Sequence, residues 1–425
     1  MIFVFLGSLF GAMALGMPIA FALLFSSVAL MFYLDQFNSV IIAENLINGA
    51  DNYPLLAIPL FILAGELMNE GGLSRRIVSM AMALVGHIRG GLGYVAIIST
   101  LLFAALSGSP IADTAALGAI LIPMMIESGY DVNRSSGLIA AGGITAAIIP
   151  PSIGFIIFGV TAGVSVTQLF LAGIVPGLIM GVGLVVTWAI ISRKDNLKTQ
   201  PRKSIKEMAK EFIKAFWALL LPLIILVGLR GGIFTPTEAG VVAVFYALFL
   251  GIFVYRELSI KSFYNVLISS TKITSVVVFL VASAMVTGWL ITIANIPNQL
   301  INILSPVMDN QMLLLLLICI IILFIGMVMD LVPNVMILTP ILLPVVKTAG
   351  IDPVYFGIIF ILINSIGLLT PPVGSILNVA ASVSKTDILG VTKGVLPFLI
   401  GYLLLLILLI IFPQIIMYPL NLLSR

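Results

Sequence analysis

A chain of 425 residues that is 61% hydrophobic and 9% charged, with mean hydropathy +1.26, is excluded from the soluble globular class, in which about 25% of residues are charged. The net charge of +3 says little by itself and calls for no nucleic-acid partner. The single cysteine, Cys319, excludes an internal disulfide and reads as packed or lipid-facing filler in an apolar run.

Apolar runs near or above the span length recur along the whole chain, and about 20 residues cross roughly 30 Å of hydrocarbon as a helix. The composition therefore predicts an all-α polytopic membrane protein with no soluble domain. In chain order, spans are expected at residues 2 to 14 and 18 to 34, divided at Gly16-Met17-Pro18, and at 53 to 70. The first two also read as one long helix. The run Met1 to Tyr33 lacks the basic flank and small-residue cleavage site of a signal peptide and is expected to be retained. Residues 73 to 89 are amphipathic and basic, which suits a segment lying along the interface. The stretch 91 to 128 is interrupted at Ser107-Gly108-Ser109-Pro110 and reads as a re-entrant hairpin. A helix over 134 to 164 is broken at Pro150-Pro151, because proline lacks an amide hydrogen and clashes with the preceding turn, and a span at 167 to 192 follows.

The segment 193 to 214 holds eight of the 20 Lys and Arg. The positive-inside bias makes it cytoplasmic, with its far end resting on anionic headgroups. Beyond it come spans at 216 to 230 and 237 to 256, an interfacial segment near 259 to 272, a span at 274 to 293 and an interfacial arm at 294 to 309. A hairpin at 311 to 349 breaks near Asp330 to Asn334, a helix at 353 to 383 breaks at Pro371-Pro372, and a last span covers 387 to 418.

The second half repeats the first. At an offset of 221 positions, Pro123 falls on Pro344, Gly129 on Gly350, Asp131 on Asp352, Pro150-Pro151 on Pro371-Pro372 and Pro176 on Pro397, without an insertion. Only 22 residues are proline, so this register reads as an internal duplication. It divides the chain into a first repeat over 1–192 with hairpin 91–128, a basic linker over 193–215, and a second repeat over 216–425 with hairpin 311–349. Each repeat crosses five times, and two odd repeats joined by one cytoplasmic loop must be inverted. That topology leaves 17 Lys and Arg inside and three, Arg230, Lys347 and Arg425, outside. The external N-terminus rests on the repeat alone, since the first 70 residues contain no Lys or Arg.

Irregular backbone facing lipid is prohibitively costly, so the four breaks must be buried in protein or line a wet cavity. Two are hairpin tips, Ser107 to Pro110 and Asp330 to Asn334. Two are interruptions, Gly142 to Pro151 and Gly367 to Pro372. Free carbonyls at half-helix C-termini suit Na⁺, and free amides at half-helix N-termini suit anions. Each tip with its interruption then makes one ion site, with oxygens at Ser107, Ser109, Thr145, Asn334 and Thr370. The plainer reading, that Gly and Pro only permit close packing, does not account for four breaks in duplicated register. Asp113 and Asp330 either ligate a cation or carry a proton, or else cap the half-helix that follows them. Glu66 and Glu238 sit at span ends and read as anchors, and His87 reads as an interfacial residue with no metal role. The motifs H-E-x-x-H, G-x-S-x-G and G-x-x-x-x-G-K-[ST] are absent, which points away from an enzyme or an ATP-driven pump and toward a gradient as energy source.

The stretches A-I-P-L-F-I-L-A-G-E-L-M at 57 to 68, G-H-I-R-G-G-L at 86 to 92, I-I-P-P-S-I at 148 to 153, G-G-I-F-T-P-T-E-A at 231 to 239, and G-M-V-M-D with T-P-I-L-L-P at 326 to 344 resemble the large membrane subunit of tripartite ATP-independent periplasmic (TRAP) transporters. The resemblance implies a Na⁺-coupled importer of organic acids in the bacterial inner membrane, with Na⁺ as coupling ion and no other cofactor or metal. It implies two partners: a small four-helix membrane subunit, separate or fused, and a periplasmic substrate-binding protein. It also implies an elevator mechanism. The family's Na⁺ sites would fall on Ser107, Gly108 and Ser109 with Gly143 and Thr145, and on Gly326, Asp330 and Asn334 with Gly367 and Thr370. Substrate would meet Pro110, Asp113, Pro151, Pro372, Ser375 and Asn378. Asp113, Ser375 and Asn378 depart from the common family pattern and add hydrogen-bonding groups, which suits a hydroxyl-rich acid, and the Ser-Gly-Ser-Pro-Ile-Ala-Asp-Thr tip resembles members that import sialic acid. A self-sufficient Na⁺/dicarboxylate symporter of the divalent-anion type shares the inverted-repeat plan and is the alternative.

Overall fold

A computed structural model describes residues 1–193 and 201–424, and every regular element among them is helical. Residues 194 to 200 of the basic linker lie outside the described residues. Helices α1 (Ile2–Ala14) and α2 (Ile19–Tyr33) are separate. Gly16 turns the chain at φ +83°, a backbone region open to glycine, and the two helices pack side by side. Helix α3 (Ser39–Ala50) falls where no element is expected, because Glu44, Asn45 and Asn48 lower its hydropathy. Asn38 caps it, accepting the Val40 amide at 2.9 Å. A short 3₁₀ turn (Tyr53–Leu56) leads into α4 (Ala57–Glu70), bent 52° from α3. Helix α5 (Leu73–Val85) buries Leu73, Ile77, Val78 and Ala81.

The first hairpin is α6 (Gly91–Ser107) and α7 (Pro110–Glu127). The first interrupted helix is α8 (Val132–Gly143), a 3₁₀ turn (Ile144–Ala147) and α9 (Ile153–Ala162), and α10 (Val166–Ser192) closes the half. Helix α11 (Ile205–Arg230) starts at a capping box of Ser204 and Glu207. The far end of the linker is thus the first turns of this helix, with Lys206, Lys210 and Lys214 exposed. Helix α12 (Pro236–Phe249) runs into a π-helical turn (Leu250–Val254). Helix α13 (Ile260–Ile293) is unbroken over 34 residues, which overturns the expected division into an interfacial segment and a span. Its polar residues suggest a boundary, yet no Gly or Pro occurs between Ile260 and Gly288 to make one.

The second half continues with α14 (Ile296–Leu304), the hairpin α15 (Gln311–Gly326) and α16 (Leu331–Thr348), the interrupted pair α17 (Pro353–Leu368) and α18 (Ser375–Ser384), and α19 (Ile388–Ile411). Helix α20 (Gln414–Leu423) is distinct, because Pro413 ends the last long helix before the expected 418. Helices α7 and α16 begin and end 221 positions apart, and both Pro150–Pro151 and Pro371–Pro372 are cis. Helices α6 to α10 pack with α15 to α19 into one bundle. A second bundle joins α1 to α4 with α11 to α13, and α5 lies between α6 of the first and α11 of the second. Seven helices are long and apolar enough to cross a bilayer, eight if the bent pair of α3 and α4 is one span.

Candidate functional site

The first tip is built by three consecutive residues. Ser107 ends α6, Gly108 turns at φ +63°, and Ser109 caps α7 by accepting the Ala112 amide at 3.4 Å. Pro110 follows at the first helical position, where a missing N–H is no loss. The tip is seated on the first interruption: the Gly108 carbonyl accepts the Ile153 amide at 3.4 Å, and a Cβ on Gly108 would stand 2.5 Å from the Pro151 carbonyl oxygen. Asp113 is fully buried one turn into α7. Its Oδ1 accepts the Ser107 hydroxyl, while its Oδ2 has no hydrogen-bond partner. Ser109 is therefore the cap, and the capping alternative for Asp113 falls away. Thr114 donates to the Pro110 carbonyl at 2.8 Å, and its hydroxyl stands where a side chain on Gly143 would go. Thr145 turns back onto the Gly142 carbonyl at 2.7 Å.

At the second tip Asp330 is the cap, accepting the Leu331 amide at 2.8 Å, with Ser375 beside it. Asn334 lies in the first turn of α16 and is fully buried. Its amide donates to Asn364 Oδ1, and its own Oδ1 has no partner. Asn364 in turn donates to the Leu331 carbonyl at 3.5 Å. Gly326 and Gly367 meet backbone to backbone; a Cβ on Gly367 would stand 2.8 Å from the Gly326 carbonyl carbon. The Gly374 amide donates to the Met327 carbonyl at 3.1 Å, which ties the second interruption to the second tip. Thr370 bonds back to the Ile366 carbonyl at 2.8 Å.

The two tips correspond residue for residue. The caps Ser109 and Asp330 stand 221 positions apart, as do Asp113 and Asn334, and Gly143 and Asn364. Each half so places one fully buried, unpartnered side-chain oxygen at the same helical position. Leaving a buried polar atom unpaired costs about 1–3 kcal/mol, and a small hard cation that takes oxygen ligands would remove that cost. Among the described residues no group of three or more His, Cys, Asp or Glu could hold another metal ion.

A cavity of about 380 Å³ opens between the tips, α4 and α13. Ser107, Gly108, Ser109 and Pro110 line it from the first tip, Asp330 and Leu331 from the second, Gly65, Glu66 and Asn69 from α4, and Ile273 and Val277 from α13. Of the expected substrate residues, Pro110 is on this wall, while Asp113, Pro151, Pro372, Ser375 and Asn378 are not. Asp113 and Pro151 are buried behind the tip, and Pro372 and Asn378 are exposed at the surface. The sequence reading missed Asn69 and Asn364 and took Glu66 for an anchor. Glu66 and Asn69 share a face of α4 at the i, i+3 spacing, and Asn364 emerges once the 221-residue register is carried past the prolines. No Lys, Arg or His is among the lining residues.

Two hairpins and two interrupted helices converging on one cavity define a polytopic membrane permease. Residues 6–415 match the family model of the tripartite ATP-independent periplasmic transporter DctM component, and the chain belongs to this family as a TRAP transporter large permease subunit of the bacterial inner membrane. It is 52% identical over 420 residues to the 2,3-diketo-L-gulonate TRAP transporter large permease protein YiaN of Escherichia coli K12, covering 99% of each chain. It is 40% identical over 411 residues to the sialic acid TRAP transporter large permease protein SiaM of Vibrio cholerae, covering 96% of each chain. The crystal structure of the Alcanivorax borkumensis YdaH transporter has a similar fold, with TM-score 0.63 at 14% identity over 89% of this chain and 88% of that one.

Proposed function

We propose that this chain is the transporting subunit of a Na⁺-driven importer of sugar acids, working by an elevator mechanism in which the hairpin bundle moves against the bundle of α1 to α4 and α11 to α13. The observation that carries this reading is the cavity's charge. Its wall has two carboxylates, Glu66 and Asp330, and no basic residue, so an anionic substrate needs cations to enter with it. The unpartnered oxygens of Asp113 and Asn334, which share one register position in the two halves, are the natural centres for those cations. Ser107, Ser109 and the carbonyls around Gly108, Gly143 and Thr145 would complete the first site. Asp330 and the carbonyls around Gly326, Gly367 and Thr370 would complete the second. The matched helix boundaries support two repeats, inverted in the membrane. Glu66 and Asn69 would accept and donate hydrogen bonds to substrate hydroxyls. A hydroxylated monocarboxylate fits this wall better than a dicarboxylate, whose second charge would face Glu66.

The tripartite family supports two partners, a small membrane subunit and a periplasmic binding protein. The test is uptake into proteoliposomes holding this chain and the small subunit, with labelled 2,3-diketogulonate, sialic acid and succinate, each with and without an inward Na⁺ gradient and a binding protein. Uptake of a sugar acid that needs both Na⁺ and the binding protein is expected. Succinate uptake driven by Na⁺ alone would favour the self-sufficient symporter.

A further inference from the structure

Hydrogen-bond donors are scarce on the cavity wall. Five of its lining residues carry polar side chains: Glu66 and Asn69 on α4, Ser107 and Ser109 on the first tip, and Asp330 on the second. Glu66 and Asp330 are carboxylates, and Ser107 gives its proton to Asp113. That leaves two side-chain donors. One is the Ser109 hydroxyl, whose oxygen accepts the Ala112 amide; the other is the amide of Asn69. The first belongs to the hairpin bundle and the second to the opposite one. First-turn amides of α7 and α16 add backbone donors, again on the hairpin side only.

Asn69 is held in the donor role by its neighbours. Its backbone carbonyl accepts the Gly72 amide at 3.1 Å, and Gly72, at φ +76°, turns the chain so that the first turn of α5 returns over the end of α4. Ser74 in that turn is buried and donates its hydroxyl to Asn69 Oδ1 at 2.6 Å. With its oxygen taken by Ser74, the side chain has its NH₂ group left for the cavity that it lines. Glu66 lies one turn earlier on α4, with Ser269 of α13 beside it, and offers acceptor oxygens. Side chains at the i, i+3 spacing stand side by side on one helix face, with about 5–6 Å between their Cβ atoms. An acceptor and a donor so placed suit two neighbouring oxygens of a hydroxylated chain: one hydroxyl donates to Glu66 while the next oxygen accepts from Asn69. The methylene groups of succinate would leave both groups unpaired, and a polar site rejects an analogue that lacks the matching hydroxyls.

We infer that Glu66 and Asn69 form a diol-reading pair that sets the selectivity of the cavity for hydroxylated acids over plain dicarboxylates, with Ser74 as the positioning residue that fixes the polarity of Asn69. This rests on the sugar-acid reading, and the test separates the two. Sialic acid, 2,3-diketogulonate and succinate are titrated calorimetrically, in Na⁺, into the purified chain with its small subunit, and the ratio of sugar-acid to succinate affinity is the readout. Asn69→Ala should weaken binding of the preferred sugar acid by roughly threefold to tenfold, the range of one neutral hydrogen bond, and leave succinate within twofold. Glu66→Gln should strengthen succinate, by removing a facing charge, and should not strengthen the sugar acid. Ser74→Ala should lower the ratio in the same direction by a smaller factor, because the freed amide can rotate, and Ser74→Thr, which keeps the hydroxyl, should restore it. The substrate-free Na⁺ concentration that half-stabilises the protein against heat should stay within twofold in all four variants, since none of these residues belongs to a tip. A parent that binds none of the three acids, or succinate best, would sink the sugar-acid reading and this inference with it. A parent that prefers a sugar acid, with a ratio unmoved by Asn69→Ala, Glu66→Gln and Ser74→Ala in variants that melt cooperatively, would overturn the pair while leaving the sugar-acid reading in place.

Discussion

Replacing Asn334 by alanine removes one buried oxygen that no protein group satisfies and one amide that holds Asn364 Oδ1. If Asn334 Oδ1 is a cation ligand, the loss is that of one polar contact to a charge, about 1.5–3 kcal/mol. At about 1.4 kcal/mol per tenfold, the Na⁺ concentration for half-maximal effect should rise by roughly tenfold to a hundredfold. The measurement needs no substrate. Purified protein is unfolded thermally across a Na⁺ series at constant ionic strength, with K⁺ making up the balance, and the stabilisation follows the logarithm of ligand occupancy. Asn334→Ala should also melt lower in K⁺ alone, because the Asn364 oxygen loses its donor. Asn334→Asp keeps the oxygen, adds the carboxyl group that Asp113 supplies at the matching position, and should lower the Na⁺ midpoint. Midpoints within twofold of the parent in both variants would remove this residue from the ion site.

Gly143→Ala should destabilise by about 1–3 kcal/mol through overpacking, since its new methyl overlaps the Thr114 hydroxyl; Gly143→Ala combined with Thr114→Ala should recover much of that loss in the same melting assay. Tyr402→Phe removes a buried bond to the Ala141 carbonyl of 2.7 Å and should cost about 0.5–1.5 kcal/mol without moving the Na⁺ midpoint. Gly394→Ala drives a methyl into the Asn133 carbonyl where α19 crosses α8 and should strongly lower the melting temperature. Its control, Gly183→Ala, meets nothing within 4 Å and should be neutral or stabilise by up to about 1 kcal/mol from helix propensity.

What was legible in the chain followed its punctuation. Hairpin tips and interruptions are written in Gly, Ser and Pro, whose backbone constraints act locally, and the prolines preserved the 221-residue register. Elements without punctuation were misjudged. Helix α13 runs on where its polar residues suggest a division, and α3 is hidden because Glu44, Asn45 and Asn48 lower its hydropathy while the contact that holds it, Gly49 against Ala282 of α13, is a tertiary fact. Side-chain direction was the other blind spot. Asp113 and Asp330 look alike beside their tips, yet Asp330 turns back to cap its helix and Asp113 does not. Equivalence in register pairs Asp113 with Asn334 instead, and it could have been read from the same alignment that matched the prolines.

On the proposed cycle, the charge arrangement predicts that cations bind before substrate. A carboxylate substrate entering the cavity would face Glu66 and Asp330 on its wall, with Asp113 directly behind the first tip and no basic residue among the lining groups. Like charges in a site of low dielectric repel far more strongly than in water. Cations at the proposed tip sites would reverse that repulsion, so substrate affinity should be weak in K⁺ and strengthen steeply with Na⁺. Linkage makes the effect reciprocal: bound substrate must raise Na⁺ affinity by the same factor. Calorimetric titration of 2,3-diketogulonate and sialic acid into the purified complex in Na⁺ and in K⁺ measures one side, and the Na⁺ midpoint with and without the sugar acid measures the other. Equal affinity in the two salts for a substrate that is nonetheless transported would mean that the anion is neutralised by groups outside this cavity, and the argument from its missing positive charge would fail.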